Sequence, residues 1–177
     1  MKVDAPIAVI SASYSDRNRA VEDFDAVWRV RHDGDFHHTA LAVLTPGPSD
    51  GLHVERTNNT AKHLEWGGAL LGAPLFVLAP ETGTELLATV GLSGAGAIAC
   101  HVRLNASPVE LATSARVLRA GACSLVVVVV NLRGEAVTPL LGHADRTSSV
   151  DLLWGDLEEE LSRDFATPMS DPVPVAV

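Results

Sequence analysis

The sequence predicts an α+β sandwich, and three observations lead to that class. Before residue 60 and after residue 107, strand-like and helix-like apolar segments alternate as βαββ and then αβαβ. Ala122 to Val130 carries five consecutive valines and no polar alternation, the mark of a strand covered on both faces. Between the two halves lies a stretch without charge, Trp66 to Pro80, followed after Glu81 and Glu85 by a second apolar run, Leu86 to Cys100. Pro80, Glu81, Thr82 and Gly83 separate the runs and predict a chain reversal, so the middle reads as two short apolar helices folded into a hairpin.

In chain order, Ile7 to Tyr14 is small, apolar and β-branched, which predicts a strand; Ser15 or Asp16 then supplies an oxygen to cap a helix. Ala20, Val21, Phe24, Val27 and Trp28 recur at helical spacing and predict the buried face, with Arg17, Arg19, Glu22, Asp23 and Asp25 falling largely on the outer one. Charge and Gly34 break the pattern over residues 31–35. Strands follow at His38 to Thr45 and Leu52 to Thr57, joined by Pro46 to Gly51, which is turn chemistry throughout; His53, Glu55 and Thr57 give the second strand a solvated face or edge. After the apolar middle, Ser107-Pro-Val-Glu110 has the spacing of a capping box with proline in the first helical turn, and Leu111, Ala115 and Leu118 line one face before Gly121 ends the helix. The valine strand comes next and is expected at the centre of the sheet. Glu135 to His143 predicts a helix limited by Pro139 to one or two turns, Ser148 to Leu153 a last strand, and Asp156 to Phe165 a last amphipathic helix. Residues 1–165 are therefore expected to form one α+β domain containing an apolar insert at 62–103. Residues 166–177 are proline-rich and expected to be a mobile tail.

The order βαββ, insert, αβαβ is close to a ferredoxin-like unit extended by one αβ step, with its helices segregated to one side. Val9-Ile-Ser-Ala-Ser-Tyr14, Leu52-His-Val-Glu-Arg-Thr57, Trp66-Gly-Gly-Ala-Leu-Leu-Gly72 and the strand Leu125 to Val130 together resemble an uncharacterised bacterial domain family whose ferredoxin-like body holds a glycine-zipper insert. The resemblance runs from Ile7 to Phe165. It implies a label of membrane protein drawn from hydropathy, and it brings no catalytic residues. Pro74 and Pro80 are expected to interrupt helices, and the second half of the insert is less glycine-rich than a full zipper. Both features argue against a bilayer span.

A formal charge of −9 and a pI near 5.1 exclude the electrostatic footprint of a nucleic-acid binder and a polybasic attachment to anionic lipid. Cys100 and Cys123, far apart and each in an apolar run, read as free thiols in a reducing cytoplasm rather than a disulfide framework. Asp4 and Pro6 break the N-terminal apolar stretch that an export signal needs. Seven histidines invite a metal, but none has an i, i+4 histidine partner or a Cys-x-x-Cys motif. His63 and His101, at the two ends of the insert, are the best placed, and marking the polar rim of an apolar layer explains them as well. The glycines of Gly91 to Gly96 lie inside an apolar run instead of between a strand and a helix, so they lack the context of a phosphate-binding loop. Glu158, Glu159 and Glu160 after Asp156 read as a solvated first helical turn. No catalytic set and no cofactor are expected.

The insert carries the functional expectation. Gly68 and Gly72 form one row of small residues at four-residue spacing, and Gly91, Ala95 and Ala99 another, the pattern that lets helix backbones approach closely. With Trp66 and Phe76 they form the expected contact surface of a non-enzymatic, self-associating cytoplasmic protein. The alternatives are attachment of the same surface to a membrane and a small-molecule or metal-binding domain. As a helix, each apolar run of about 15 residues reaches roughly 22 Å against a hydrocarbon core near 30 Å, so neither spans a bilayer comfortably.

Overall fold

The computed structural model describes residues 5–30, 38–47, 51–59, 64–90, 95–130 and 134–154. Within these residues an antiparallel sheet is built from β1 (Ala5–Tyr14), β2 (His38–Pro46), β3 (Leu52–Asn59), β4 (Cys123–Val130) and β5 (Arg146–Trp154), in the order β3-β2-β4-β1-β5. The valine strand β4 is central, as its pattern requires. It pairs with β1 from Ile7↔Val130 to Tyr14↔Cys123 and with β2 from His38↔Val130 to Leu44↔Ser124.

Side-chain alternation along the strands divides the core in two. Ile7, Val9, Ala40, Ala42, Leu44, Val126, Val128, Val150 and Leu152 point to one face, where they pack with the helices α2 (Leu64–Leu78), α3 (Pro80–Val90), α4 (Ala95–Asn105) and α5 (Pro108–Leu118). Ala8, Ile10, Ala12, Tyr14, Leu41, Val43, Leu125, Val127 and Val129 point to the other, under α1 (Arg17–Val30). Val137 and Leu141, from the short helix α6 (Gly134–Val137) and the segment after the 3₁₀ turn Thr138–Leu140, complete that side. The helices are thus not segregated to one side of the sheet. The unbroken valine run already demands cover on both faces, and α1 supplies it opposite the larger helical layer.

The middle of the chain also departs from expectation. Among the described residues it holds three helices where the sequence predicts a two-helix hairpin, and Pro80 opens α3 instead of ending a turn. Proline suits a first helical turn, where its missing N–H has no partner to lose, and Glu81, Thr82 and Gly83 continue as helix. Within the second apolar run the described residues of α3 end at Val90 and those of α4 start at Ala95. Pro74 lies inside α2 without ending it. The weak amphipathicity of α2 has a direct cause: Ala69, Leu70, Leu71, Ala73, Leu75 and Leu78 are all buried, so this helix is apolar nearly all round because it is covered nearly all round. It packs on β2 and β4 below and on α3, α4 and α5 around it.

At the ends of these elements the sequence signals hold. Asp16 Oδ1 accepts from Asn18 N at the start of α1 (2.8 Å), and the capping box of α5 is complete, with Val109 N donating to Ser107 Oγ (3.2 Å) and Ser107 N to Glu110 Oε2 (3.1 Å). The edge strand β3 is tied to its neighbours through polar groups. The β2–β3 register shifts between Val43 and Leu44, leaving Glu55 as an extra residue, and Glu55 pairs with Arg17. Arg56 pairs with Asp25 at 2.8 Å and lies 4.2 Å over the Phe24 ring, while Thr82 Oγ1 donates to Leu52 O from α3 on the opposite face (2.6 Å). The expected helix from Asp156 and the tail from residue 166 lie outside the described residues.

Candidate functional site

The expected contact residues of the insert divide between interior and surface. Gly72 is buried, and a Cβ there would come within 2.6 Å of Leu87 Cδ2 in α3. Ala99 is also buried. A Cβ on Gly83 would overlap the backbone N and Cα of Phe76. The close approach that small residues allow is therefore used inside the chain, between α2 and α3, and this corrects the placement of Gly72 and Ala99 on an outer surface. The physical reason is that α3, α4 and α5 pack around α2 and cover the faces that carry its small residues. Trp66 and Gly68 belong to α2, and Ala95 and His101 to α4, with side chains outside the described set; His63 and Gly91 lie outside the described residues altogether.

What the layer does expose is different. Among the described residues the large hydrophobic side chains left in solvent are Phe76 (37 %) at the end of α2, Leu104 (77 %) at the end of α4 and Val109 (74 %) at the start of α5. All three belong to the α2–α5 layer. The outer side of α1, by contrast, carries Arg17, Asn18, Arg19 and Glu22 exposed, with Asp25 half-buried in its pair with Arg56. Leu104 and Val109 carry no sequence signal because each ends or begins a helix, where apolar spacing says least.

The second feature is polar and lies on the α1 side of the sheet. Asp23 is 1 % exposed and accepts three hydrogen bonds: to Oδ2 from Tyr14 Oη (3.0 Å) and from the His143 backbone N–H (3.0 Å), and to Oδ1 from His143 Nδ1 (2.6 Å). An ionised carboxylate only accepts, so Asp23 fixes a proton on His143 Nδ1 and with it the orientation of the ring. The His143 side chain is 51 % exposed, and its Nε2 faces Glu22 Oε2 at 3.6 Å. Each piece has a local cause. Tyr14 ends β1 and points under α1; Asp23 sits on the face of α1 that covers Tyr14; and His143 follows the 3₁₀ turn, in a segment held to β1 by Asp145 N donating to Ser13 O (2.9 Å) and Asp145 Oδ2 accepting from Ser15 N. The expectation that Asp23 falls on the outer face of its helix is corrected here. Its spacing with Ala20, Phe24 and Val27 is i, i+3, i+4, i+7, the apolar stripe itself, and that is the signal the sequence offers. Its partner His143 lies 120 residues away, and no sequence pattern joins them.

Burial, reinforced by the charge of Asp23 and the hydrogen bond to it, raises the Tyr14 phenol well above its ordinary value, so Tyr14 is a fixed donor. Burial likewise pushes the Cys123 thiol up; with its Sγ 3.9 Å from Tyr14 O, it is a core residue and no nucleophile. A tyrosine whose folded value is raised contributes stability that is fully present below its unfolded value of about 10 and is lost as pH rises beyond it. Because Tyr14 is the only tyrosine in the chain, absorbance at 295 nm reports it alone. Native protein is expected to show no phenolate at about pH 10.5, whereas protein in urea titrates near 10. Half-ionisation near 10 in folded protein would remove Tyr14 from the buried relay.

Among the described residues no helix is long and apolar enough to cross a membrane. Comparison of the chain with protein-family models, with curated proteins and with solved structures finds no match in any of the three.

Proposed function

We propose that this protein is a non-enzymatic assembly domain that associates with copies of itself through the outer surface of the α2–α5 layer. One observation carries this: every large hydrophobic side chain left in solvent among the described residues, Phe76, Leu104 and Val109, sits on that layer. A single exposed leucine is ordinary on any protein surface, but all three fall in one of the two helical layers, among exposed charged residues such as Glu81, Arg103, Glu110 and Arg116. Small residues support the layer from within, where Gly72 and Gly83 bring α2 and α3 together, and the contact with a second copy is assigned to the exposed side chains. The strand order supports a ferredoxin-like reading of the body. β1 and β2 run parallel to each other with β4 antiparallel between them, a split β-α-β unit to which β3 adds an edge strand.

Light scattering on the full chain tests the proposal. The wild type is expected to show a mass above that of one chain and a melting temperature that rises with protein concentration, and L104D/V109D to run as a folded monomer. Both positions are highly exposed, so the charges cost the monomer little. A monomeric wild type at about 100 µM, well above the range of a specific dimer, overturns the proposal. An oligomer unmoved by the double substitution overturns it too, and so does a monomer that binds lipid vesicles through the same side chains, which would make the layer a membrane-contact surface.

A further inference from the structure

We propose that α5 is a hinged cover, able to lift from the sheet as an intact helix and bring water to a floor of serine hydroxyls beneath it. The inference starts from two side chains. Ser11 in β1 and Ser124 in β4 are fully buried, and their Oγ atoms have no hydrogen-bond partner in the protein. Alternation places both on the face that carries Val9, Val126 and Val150, the side of the sheet on which α5 packs across β1, β4 and β5. The strand register sets Ser11 opposite Ser148 and Ser13 opposite Ser124, so four hydroxyls gather at this end of the sheet. Ser114 Oγ of α5 meets Ser148 Oγ at 2.9 Å. Further along the same strands this face is valine, isoleucine and leucine. A hydroxyl taken out of water without a partner disfavours the closed form, and lifting the helix returns that water. The two serines thus bring the open and closed forms closer in free energy, which is what sets a locally opening element apart from its surroundings.

The helix can move as one piece. Its ends are satisfied by its own residues, with the capping box of Ser107 and Glu110 at the start and Arg119 N donating to Arg116 O (3.2 Å) at the finish. Thr113 Oγ1 donates back to Val109 O within the helix (2.8 Å). Among the described residues, the side-chain hydrogen bonds that tie it to the body are Ser114 to Ser148 and, just past its end, Arg119 Nη1 to Leu78 O (3.3 Å). Its large apolar anchors are few as well: Val117 and Leu118 are buried and Leu111 half-buried, against Leu70, Leu71, Leu75 and Leu78 in α2. Beyond the helix the chain is pinned, since Ala122 N donates to Tyr14 O (2.9 Å), and this makes residues 119–121 the hinge. What opens is a cleft floored by Ser11, Ser13, Ser124 and Ser148, whether or not the layer meets a second copy.

Native-state hydrogen exchange of the full chain, read amide by amide by NMR, is the test. The amides of Ala112 to Leu118 are expected to exchange together and roughly tenfold or more faster than those of Val126 to Val129 in the central strand. S11A/S124A removes the unpartnered hydroxyls and is expected to slow the α5 amides by about tenfold. V137A supplies the contrast, because Val137 is buried on the opposite side of the sheet and stays covered when α5 lifts. It is expected to speed β4 exchange by about tenfold and leave α5 exchange unchanged. Equal exchange of α5 and β4 in the wild type overturns the proposal, since the helix then opens only with the whole fold, and so does acceleration of both by V137A. Unchanged or faster α5 exchange in S11A/S124A overturns it as well, because the hydroxyls would then play no part in the opening or would hold the helix down.

Discussion

Gly83→Ala is expected to destabilise the chain by about 3 kcal/mol, lowering its melting temperature by roughly 6–12 °C, although it adds a single methyl group to a helix that alanine ordinarily favours. The added Cβ would lie 2.7 Å from the Leu75 carbonyl carbon and closer still to the N and Cα of Phe76, all backbone atoms of α2, so no rotamer change relieves the overlap and the two helices must separate. Two other glycines set the scale. At Gly72 the nearest atoms are the ends of the Leu87 side chain, at 2.6 and 3.0 Å, which can turn aside, and Gly72→Ala is expected to cost about 1 kcal/mol. At Gly142 nothing lies within 4 Å, so Gly142→Ala is expected to gain about 0.5 kcal/mol by restricting the unfolded chain. Chemical denaturation of the three variants gives the order directly. Equal effects at Gly83 and Gly142 would mean that α2 and α3 do not touch there.

Asp23→Ala is expected to cost about 3 kcal/mol, because it strands the buried Tyr14 hydroxyl without an acceptor and frees the segment carrying His143 from α1. Tyr14→Phe removes one donor and leaves Asp23 with both bonds from His143, for a cost of about 1.5 kcal/mol. The double variant then decides between a connected network and three separate contacts. With phenylalanine at position 14 there is no stranded hydroxyl, so Y14F/D23A is expected to lose less than the sum of the single changes by about 1–2 kcal/mol. Additive losses would show that Tyr14 and Asp23 act independently.

Several properties are legible in the order of residues alone. The central place of Ala122 to Val130 follows from its lack of alternation, the start of α5 from Ser107, Pro108 and Glu110, and the buried side of α1 from Ala20, Phe24 and Val27. These are local or single-face properties, set by backbone capping and by a period of side chains against one neighbour. The apolar middle is legible as a helical region too dry for a surface, but not for what covers it. Its composition is the same whether another helix of the chain, a second copy or lipid lies alongside, since each removes the same area from water.

Packing makes that choice by laying α3, α4 and α5 around α2, which turns Gly72 and Ala99 inward and leaves Phe76, Leu104 and Val109 outside. It likewise puts helices on both faces of the sheet. The Tyr14–Asp23–His143 relay depends on the folded arrangement most of all. An aspartate at an apolar helix position signals that a partner exists, because an unpaired buried carboxylate is too costly to keep. Which partner, 120 residues further on, is settled by the return of the chain through β4 and the 3₁₀ turn to the start of β5, where His143 meets α1. Composition and periodicity thus dictate which segments must be covered and that Asp23 needs a donor; the fold selects what covers them and which histidine answers, because burial and pairing join residues that the chain keeps far apart.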